Sequence, residues 1–354
     1  MRRFGLIALA LASVFVQERA IRAQGEPPRT VPDNRPPDLF PRPDDTRPAP
    51  RSGNPMAALG GLGNAIPGPG YSVSWNPARP VRNQDADLGI VRQDLSLSAP
   101  IWSEGGDRLF ATASVKNMHI YSDALLPDTR RRFPKDLWNA SLGLAYIHKF
   151  DNGWTGGGLI SVGSASDKPF NSLREMNLSI AAFLRVPAFD DRDFWLFSLF
   201  YSPGGLLNFP IPGIAYQLNY SEQFRITIGI PFAVMWKPTP DWTFNASYIP
   251  LTNIRANLDY RYTDDLHFFG AYEFLNEAYF LSDRADRFDR FLSFEQRVFG
   301  GLKYTLFEAA TLDLHAGYAF GRRFGEGRNQ GSTLHDRVDI GAGAFLGAAL
   351  RIKF

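Results

Sequence analysis

Residues 254–262 constrain the fold more than any other part of the chain. Ile254, Ala256, Leu258, Tyr260 and Tyr262 are apolar or aromatic, and Arg255, Asn257, Asp259 and Arg261 stand between them. A period of two places these sets on opposite faces of a strand; a helix, with its period of 3.6, cannot separate them. The same alternation precedes this segment. Phe224, Ile226, Ile228, Ile230, Phe232, Val234 and Trp236 share one face, with Arg225, Thr227, Gly229 and Ala233 among the residues between them. After a turn at Thr239-Pro240-Asp241, Trp242, Phe244, Ala246 and Tyr248 resume the apolar face. The pattern predicts a hairpin of two membrane-length strands, 224–236 and 242–248.

Strands of the same grammar are expected at 95–101 and 109–115, flanking Gly105 and Gly106, and at 138–148, 154–162 and 178–186. Others are expected at 266–280, 291–306 and 312–320. The longer connections, 123–135, 204–213, 282–289 and 325–334, are polar or rich in Gly and Pro, as loops on the extracellular side of a barrel are. Trp138, Trp154, Trp195, Tyr201, Trp236, Trp242, Tyr248 and Tyr262 fall near strand ends, where aromatic rings favour the membrane–water boundary. Roughly 270 residues after Gln84, at about 22 per strand and connection, predict about 12 strands, within a range of about 10 to 14.

Outside the N-terminus no run of some 18 apolar residues occurs, so no membrane-crossing helix is encoded, and alternating strands are what a hydropathy scan overlooks. The composition of 14% aromatic residues, 29 Phe, 32 Gly and no Cys favours strands and turns. Without Cys there is no disulfide, thiolate metal site, Cys nucleophile or lipid-modified Cys. A net charge of +2 without a basic stripe argues against nucleic acid as a partner, and Arg130-Arg131-Arg132 reads as a solvated loop.

At the N-terminus, Met1-Arg2-Arg3, an apolar core over 4–16 and small residues over 20–23 have the three parts of a secretory signal peptide, with cleavage expected after Ala23. The apolar core, about 13 residues, is too short to span a bilayer. Residues 24–70, dense in Pro, Arg, Asp and Gly, read as a disordered Pro-rich periplasmic lead. The expected organisation is therefore signal peptide 1–23, lead 24–70 and barrel 71–354: an all-β, antiparallel, up-and-down transmembrane barrel in the bacterial outer membrane.

The chain ends with Leu346, Ala348, Leu350, Ile352 and Phe354 on one face and Arg351 and Lys353 on the other. A last strand of this kind suits closure against the first, which leaves no unpaired edge in lipid. Here the chain resembles bacterial outer-membrane barrels in general, whose terminal aromatic strand is recognised by the barrel assembly machinery. The resemblance makes Leu350, Ile352 and Phe354 the expected assembly signal. Between Phe209 and Arg322, the pieces PIPGIAY, GIPFAVMWKPTPDW, RANLDYRY, FEQRVFGGLKY and LHAGYAFGR also look like a family of outer-membrane β-barrels known only as a domain of unknown function. That resemblance covers about a third of the chain. It implies the fold and the address, and no activity.

No cofactor or metal site is indicated. The five histidines, His119, His148, His267, His315 and His335, sit in no catalytic motif, and the chain lacks G-x-S-x-G, H-E-x-x-H and a P-loop, so an enzyme is not expected. The candidate functional surface is the interior. By phase Arg255, Asn257, Asp259 and Arg261 face inward, with Glu273 and Glu277 on the next strand and Glu295, Arg297 and Lys303 on the one after. Two readings stay open: compensated ion pairs filling a narrow barrel, or the lining of a water-filled pore. The functions that follow are a passive pore or small-solute transporter, a non-conducting barrel that anchors the Pro-rich lead, and a lipid-acting enzyme at the rim with Ser or Asp beside a histidine. Outer-membrane lipid and the assembly machinery are the expected partners.

Overall fold

The computed structural model describes residues 68–188, 192–202, 209–249, 253–284, 286–329 and 333–352. The signal peptide, the Pro-rich lead up to residue 67 and the terminal Phe354 lie outside them.

Seventeen strands are present among the described residues. The first nine are β1 (Gly70–Pro80), β2 (Asp87–Glu104), β3 (Asp107–Ser122), β4 (Asp136–Lys149), β5 (Thr155–Ser166), β6 (Met176–Pro187), β7 (Phe194–Tyr201), β8 (Ile211–Asn219) and β9 (Phe224–Gly229). The rest are β10 (Phe232–Thr239), β11 (Trp242–Ile249), β12 (Asn253–Arg261), β13 (Leu266–Tyr279), β14 (Arg290–Phe307), β15 (Ala310–Gly327), β16 (His335–Asp339) and β17 (Gly343–Ile352). Neighbours in sequence from β1 to β16 pair antiparallel, and β17 pairs with β1 from Gly70↔Arg351 to Trp75↔Leu346, so the sheet closes on itself. β16 and β17 both lie along β15, at Arg323–Glu326 and Ala310–Ala319 respectively, and share one position in the wall. The barrel therefore has 16 strands, not the 12 expected.

The discrepancy has local causes. The segment 224–236 is two strands rather than one, turning at Gly229, with φ +130° and a Cβ position that would meet the Ile214 carbonyl oxygen at 2.2 Å, and at the cis Ile230–Pro231 bond. The apolar period runs on unchanged through a two-residue turn, so two strands read as one. β7 to β12 are also short, at eight, nine, six, eight, eight and nine residues. Finally β1 lies before Gln84, where the count began.

Opposed residues in an antiparallel ladder share a face. The rungs His315↔Gly347, Gly347↔Ser74, Ser74↔Arg92 and Arg92↔Met118 carry buried residues around the wall, which makes that face the interior. The other parity is exterior and apolar, with Trp75, Val115, Leu142, Ile160, Leu199, Ile214, Leu258, Val298 and Leu346 exposed. Exposed aromatics gather toward the two ends of this surface. At one end they are Trp102, Tyr146, Trp154, Trp195, Trp236, Trp242 and Tyr262; at the other, Trp75, Tyr121, Trp138 and Tyr248. The first end carries short turns, such as Gly105-Gly106 and Pro240-Asp241. The connections 123–135, 280–289 and 328–334 all emerge at the second.

The wall is uneven. About 9 to 11 tilted residues cross hydrocarbon. β7, β10 and β11, with eight, and β9, with six, fall short of this, whereas β2, β14 and β15, with 18 each, stand well above it. The tall side is capped inside its long-loop end by an apolar core that includes Leu88, Ile90, Met118, Ile120, Leu137, Phe291 and Phe324. The 123–135 connection folds back into this core through Leu126 and Phe133. Phe133 sets its edge against Phe291 and Phe324, with ring centres 5.9 and 5.7 Å away.

β13 separates from β12 above the Ile254↔Phe274 rung and crosses to β5. There the Phe280 N–H donates to the Ala165 carbonyl at 2.8 Å, and Ser282 clasps Asp167 through its backbone N–H (2.8 Å) and its hydroxyl (2.7 Å). The long-loop mouth is thereby divided into a capped half and a low half.

Candidate functional site

Of the residues expected inside, the register puts Arg255, Asn257, Asp259, Arg261, Glu273, Glu277, Glu295, Arg297 and Lys303 on the same face as the buried rung. Most are brought together as ion pairs. Arg255 lies 3.2 Å from Glu273, Lys303 contacts Asp259, which also accepts from Asn257, and Arg261 reaches Asp241 at 3.2 Å and Asp264 at 3.8 Å.

Glu295 is the centre of the web. It is 1% exposed and accepts from Arg297 and from Arg322 Nε at 3.1 Å, with Arg92 Nη1 at 3.4 Å. Arg92 also faces Glu277 at 3.6 Å, and the Arg297 guanidinium lies over the Phe345 ring. A carboxylate this deep is tolerable only because three guanidiniums surround it. Arg92 and Arg322 were missed in the sequence. The parity of Arg92 and Asp94 with Leu88 and Ile90 was a usable signal, but apolar residues on the inner face disguise it.

At the long-loop end, Arg131, one of the arginines read as a solvated run, is instead a latch. It contacts Asp283 at 3.0 Å, Glu326, and Asp336 at 3.5 Å, tying the 123–135 connection to the β13–β14 loop and to β15 and β16. Burial works against its charge, but Glu326 and Asp283 outweigh this and raise its pKa above the ordinary guanidinium value. Asp336 further accepts from the Asp128 and Thr129 backbone N–H groups (2.8 and 2.9 Å) and the Thr129 hydroxyl (2.6 Å). Glu326, His335 and Asp336 have the donor types of a metal site, and they form the one such trio among the described residues. Arg131 contacts two of the three, Glu326 and Asp336, which suits an ion-pair latch.

Three histidines have a carboxylate beside them: His119 with Asp136 (2.8 Å), His148 with Asp107, and His335 with Asp289 (2.8 Å). None is hydrogen-bonded to a serine hydroxyl among the described residues. His267 and His315 face inward, and His315 packs against Phe299 and Phe345.

A cavity of about 420 Å³ lies below the β5–β13 bridge, lined by Lys116, Asn139, Leu159, Phe200 and Glu277 among others. On the exterior face Leu350 is exposed and Ile352 shares its parity, while Arg351 turns inward to Asp313 at 2.9 Å.

No protein-family model and no curated protein matches the chain. The solved structures that match are bacterial outer-membrane barrels. They include an outer membrane channel from Pseudomonas putida F1 (8% identity, 81% of this chain and 96% of that one, TM-score 0.35). A deletion mutant of the monoaromatic hydrocarbon channel TodX matches at 9% identity, over 79% and 88%, with TM-score 0.34. The β domain of the Bordetella autotransporter BrkA matches at 12% identity, over 81% and 99%, with TM-score 0.30. The chain is similar to these in being a closed antiparallel β-barrel.

Proposed function

We propose that this protein is an exported bacterial outer-membrane barrel that acts as a passive pore for small solutes and does no chemistry of its own. The apolar exterior with aromatics toward both ends, and turns short at one end and long at the other, support the outer-membrane address, with the long-loop end outward. The observation that carries the pore reading is a contrast within one face. On β12 the inward side chains of Arg255 and Arg261 are 49% and 43% exposed, whereas inward Glu295 and Arg297 on β14 have 2% and 8%. An exposed side chain on the inner face of a closed wall borders space that water can fill, and a 16-stranded barrel is wide enough to hold an aqueous channel.

The test is single-channel conductance of the refolded protein in planar bilayers, after heat-modifiable gel mobility has established a folded barrel. Reproducible unitary steps are expected; a folded barrel that never conducts overturns the pore. The alternative is a non-conducting barrel that anchors the Pro-rich lead. It is favoured by the Leu126 and Phe133 stopper, and it predicts that trimming the 123–135 connection opens a conductance absent from the intact protein.

A further inference from the structure

The inward charges of the two halves differ in kind. From β12 through β17 to β2, most of the inward cations meet acids, as Arg92 and Arg322 do with Glu295, Lys303 with Asp259 and Arg351 with Asp313, while Arg79, turned inward by its rung with Leu88, forms no ion pair among the described residues. From β3 to β11, the rung pairing turns Arg108, Lys116, Lys149, Arg185 and Arg225 inward, and no Asp or Glu within those strands has inward parity, although Lys116 stands opposite Asp94 of β2.

Arg185 and Arg225 are the most enclosed of these near the short-turn end. Both are half-buried, the Nε of each is buried without a hydrogen-bond partner, and neither forms an ion pair among the described residues. Along the rungs Arg185 lies level with Leu196, Ala215 and Gly229, and Arg225 stands on the same inward face four residues from Gly229 toward the short-turn end. The Arg185 guanidinium lies over the Phe194 ring, 3.3 Å from its centre, which fixes its plane. Two cations held near one another without an acid repel, and partial burial makes the repulsion worse. A species that supplies the missing negative charge relieves this, and the guanidinium fork matches the paired oxygens of an oxyanion.

We propose that the β3–β11 half of the lumen is an anion path and that Arg185 and Arg225 together form its binding site for an oxyanion, a phosphate or a carboxylate. The path rests on the pore reading; the site needs only a lumen open to water.

Calorimetric titration of the detergent-solubilised, folded protein with inorganic phosphate, and separately with acetate, tests the site without requiring conduction. Saturable binding of either anion is expected, and the pair of titrations says which oxygen geometry is preferred. Arg185→Gln and Arg225→Gln should each weaken binding by about tenfold, the worth of one charge-assisted hydrogen bond. Arg185→Lys, which keeps the charge and loses the fork, should fall between, and Arg255→Gln should leave binding unchanged. No binding of either anion, or equal losses in Arg255→Gln and Arg185→Gln, overturns the site. In bilayers, reversal potentials in a KCl gradient should show chloride preferred over potassium. Cation preference in a conducting barrel overturns the path while leaving the pore in place, and binding without conductance removes the pore alone.

Discussion

The tall side of the barrel, β13 to β17 with β1 to β4, and the low side, β6 to β12, are built on the same alternation and use their inner faces differently. On the tall side the inward residues pack against one another, apolar at the long-loop end and ionic beneath it, so the lumen there is an interior with an ion-paired centre. On the low side most strands fall short of the hydrocarbon thickness, and the inward Arg185 and Arg225 form no ion pair among the described residues. Height and filling go together: strands that overshoot the membrane have an inner face that the bilayer does not frame, and it is buried by folding a loop back onto it. The low wall has no such overhang to cover.

Substitutions that remove a buried partner on the tall side should do the greatest harm. Glu295→Gln leaves Arg92, Arg297 and Arg322 around a neutral group. It should lower unfolding stability by about 3 to 5 kcal/mol, read as a shift in the urea midpoint of heat-modifiable mobility. Leu126→Ala, which empties a fully buried position in the stopper, should cost about 2 to 5 kcal/mol by the same assay. If either is silent, the tall side is not the packed body described.

Within the wall, Arg255→Gln should change stability and ion selectivity little, because Arg255 is half-exposed and paired with Glu273, and such pairs contribute about 0 to 1 kcal/mol. Arg225→Gln should move the reversal potential toward potassium. Equal selectivity shifts in these two variants would erase the distinction between the halves.

The smallest effect concerns Asp286 in the β13–β14 loop. The Phe288 N–H and Arg328 hold its carboxyl below the ordinary carboxylate pKa. Because the folded value is depressed, the contact stabilises the loop above the ordinary value of about 3.9 and is lost as pH falls through the lower folded value. Hydrogen exchange of the loop amides should speed up only in that acid window, and Asp286→Asn should remove the step.

Much of the wall was legible because period two is imposed by the bilayer at every strand. Segment 266–280 appears as Leu266–Tyr279 and segment 291–306 as Arg290–Phe307. The strand count was not legible, since Pro231 and Gly229 turn the chain without interrupting the apolar period. Nor was the stopper: Leu126 and Phe133 sit in a polar-looking connection, and their burial depends on Phe291 and Phe324, far away in sequence. The charges facing inward on β12 to β14 could be read by parity, but pairing could not. Which cation meets an acid is a property of neighbouring strands, and Arg225, visible among the intervening residues of its strand, has none among the described residues.

The uneven wall has an electrical consequence. At about 3.4 Å per residue and 45° of tilt, an eight-residue strand rises about 19 Å and an 18-residue strand about 43 Å. A conductor's resistance grows with its length, so in the pore proposed above current passing beside β9 and β10 would take the shorter of two parallel routes. In such a pore most of an applied voltage would drop across that thin collar, close to one end of the barrel, and a lopsided charge profile there would make the current–voltage curve rectify.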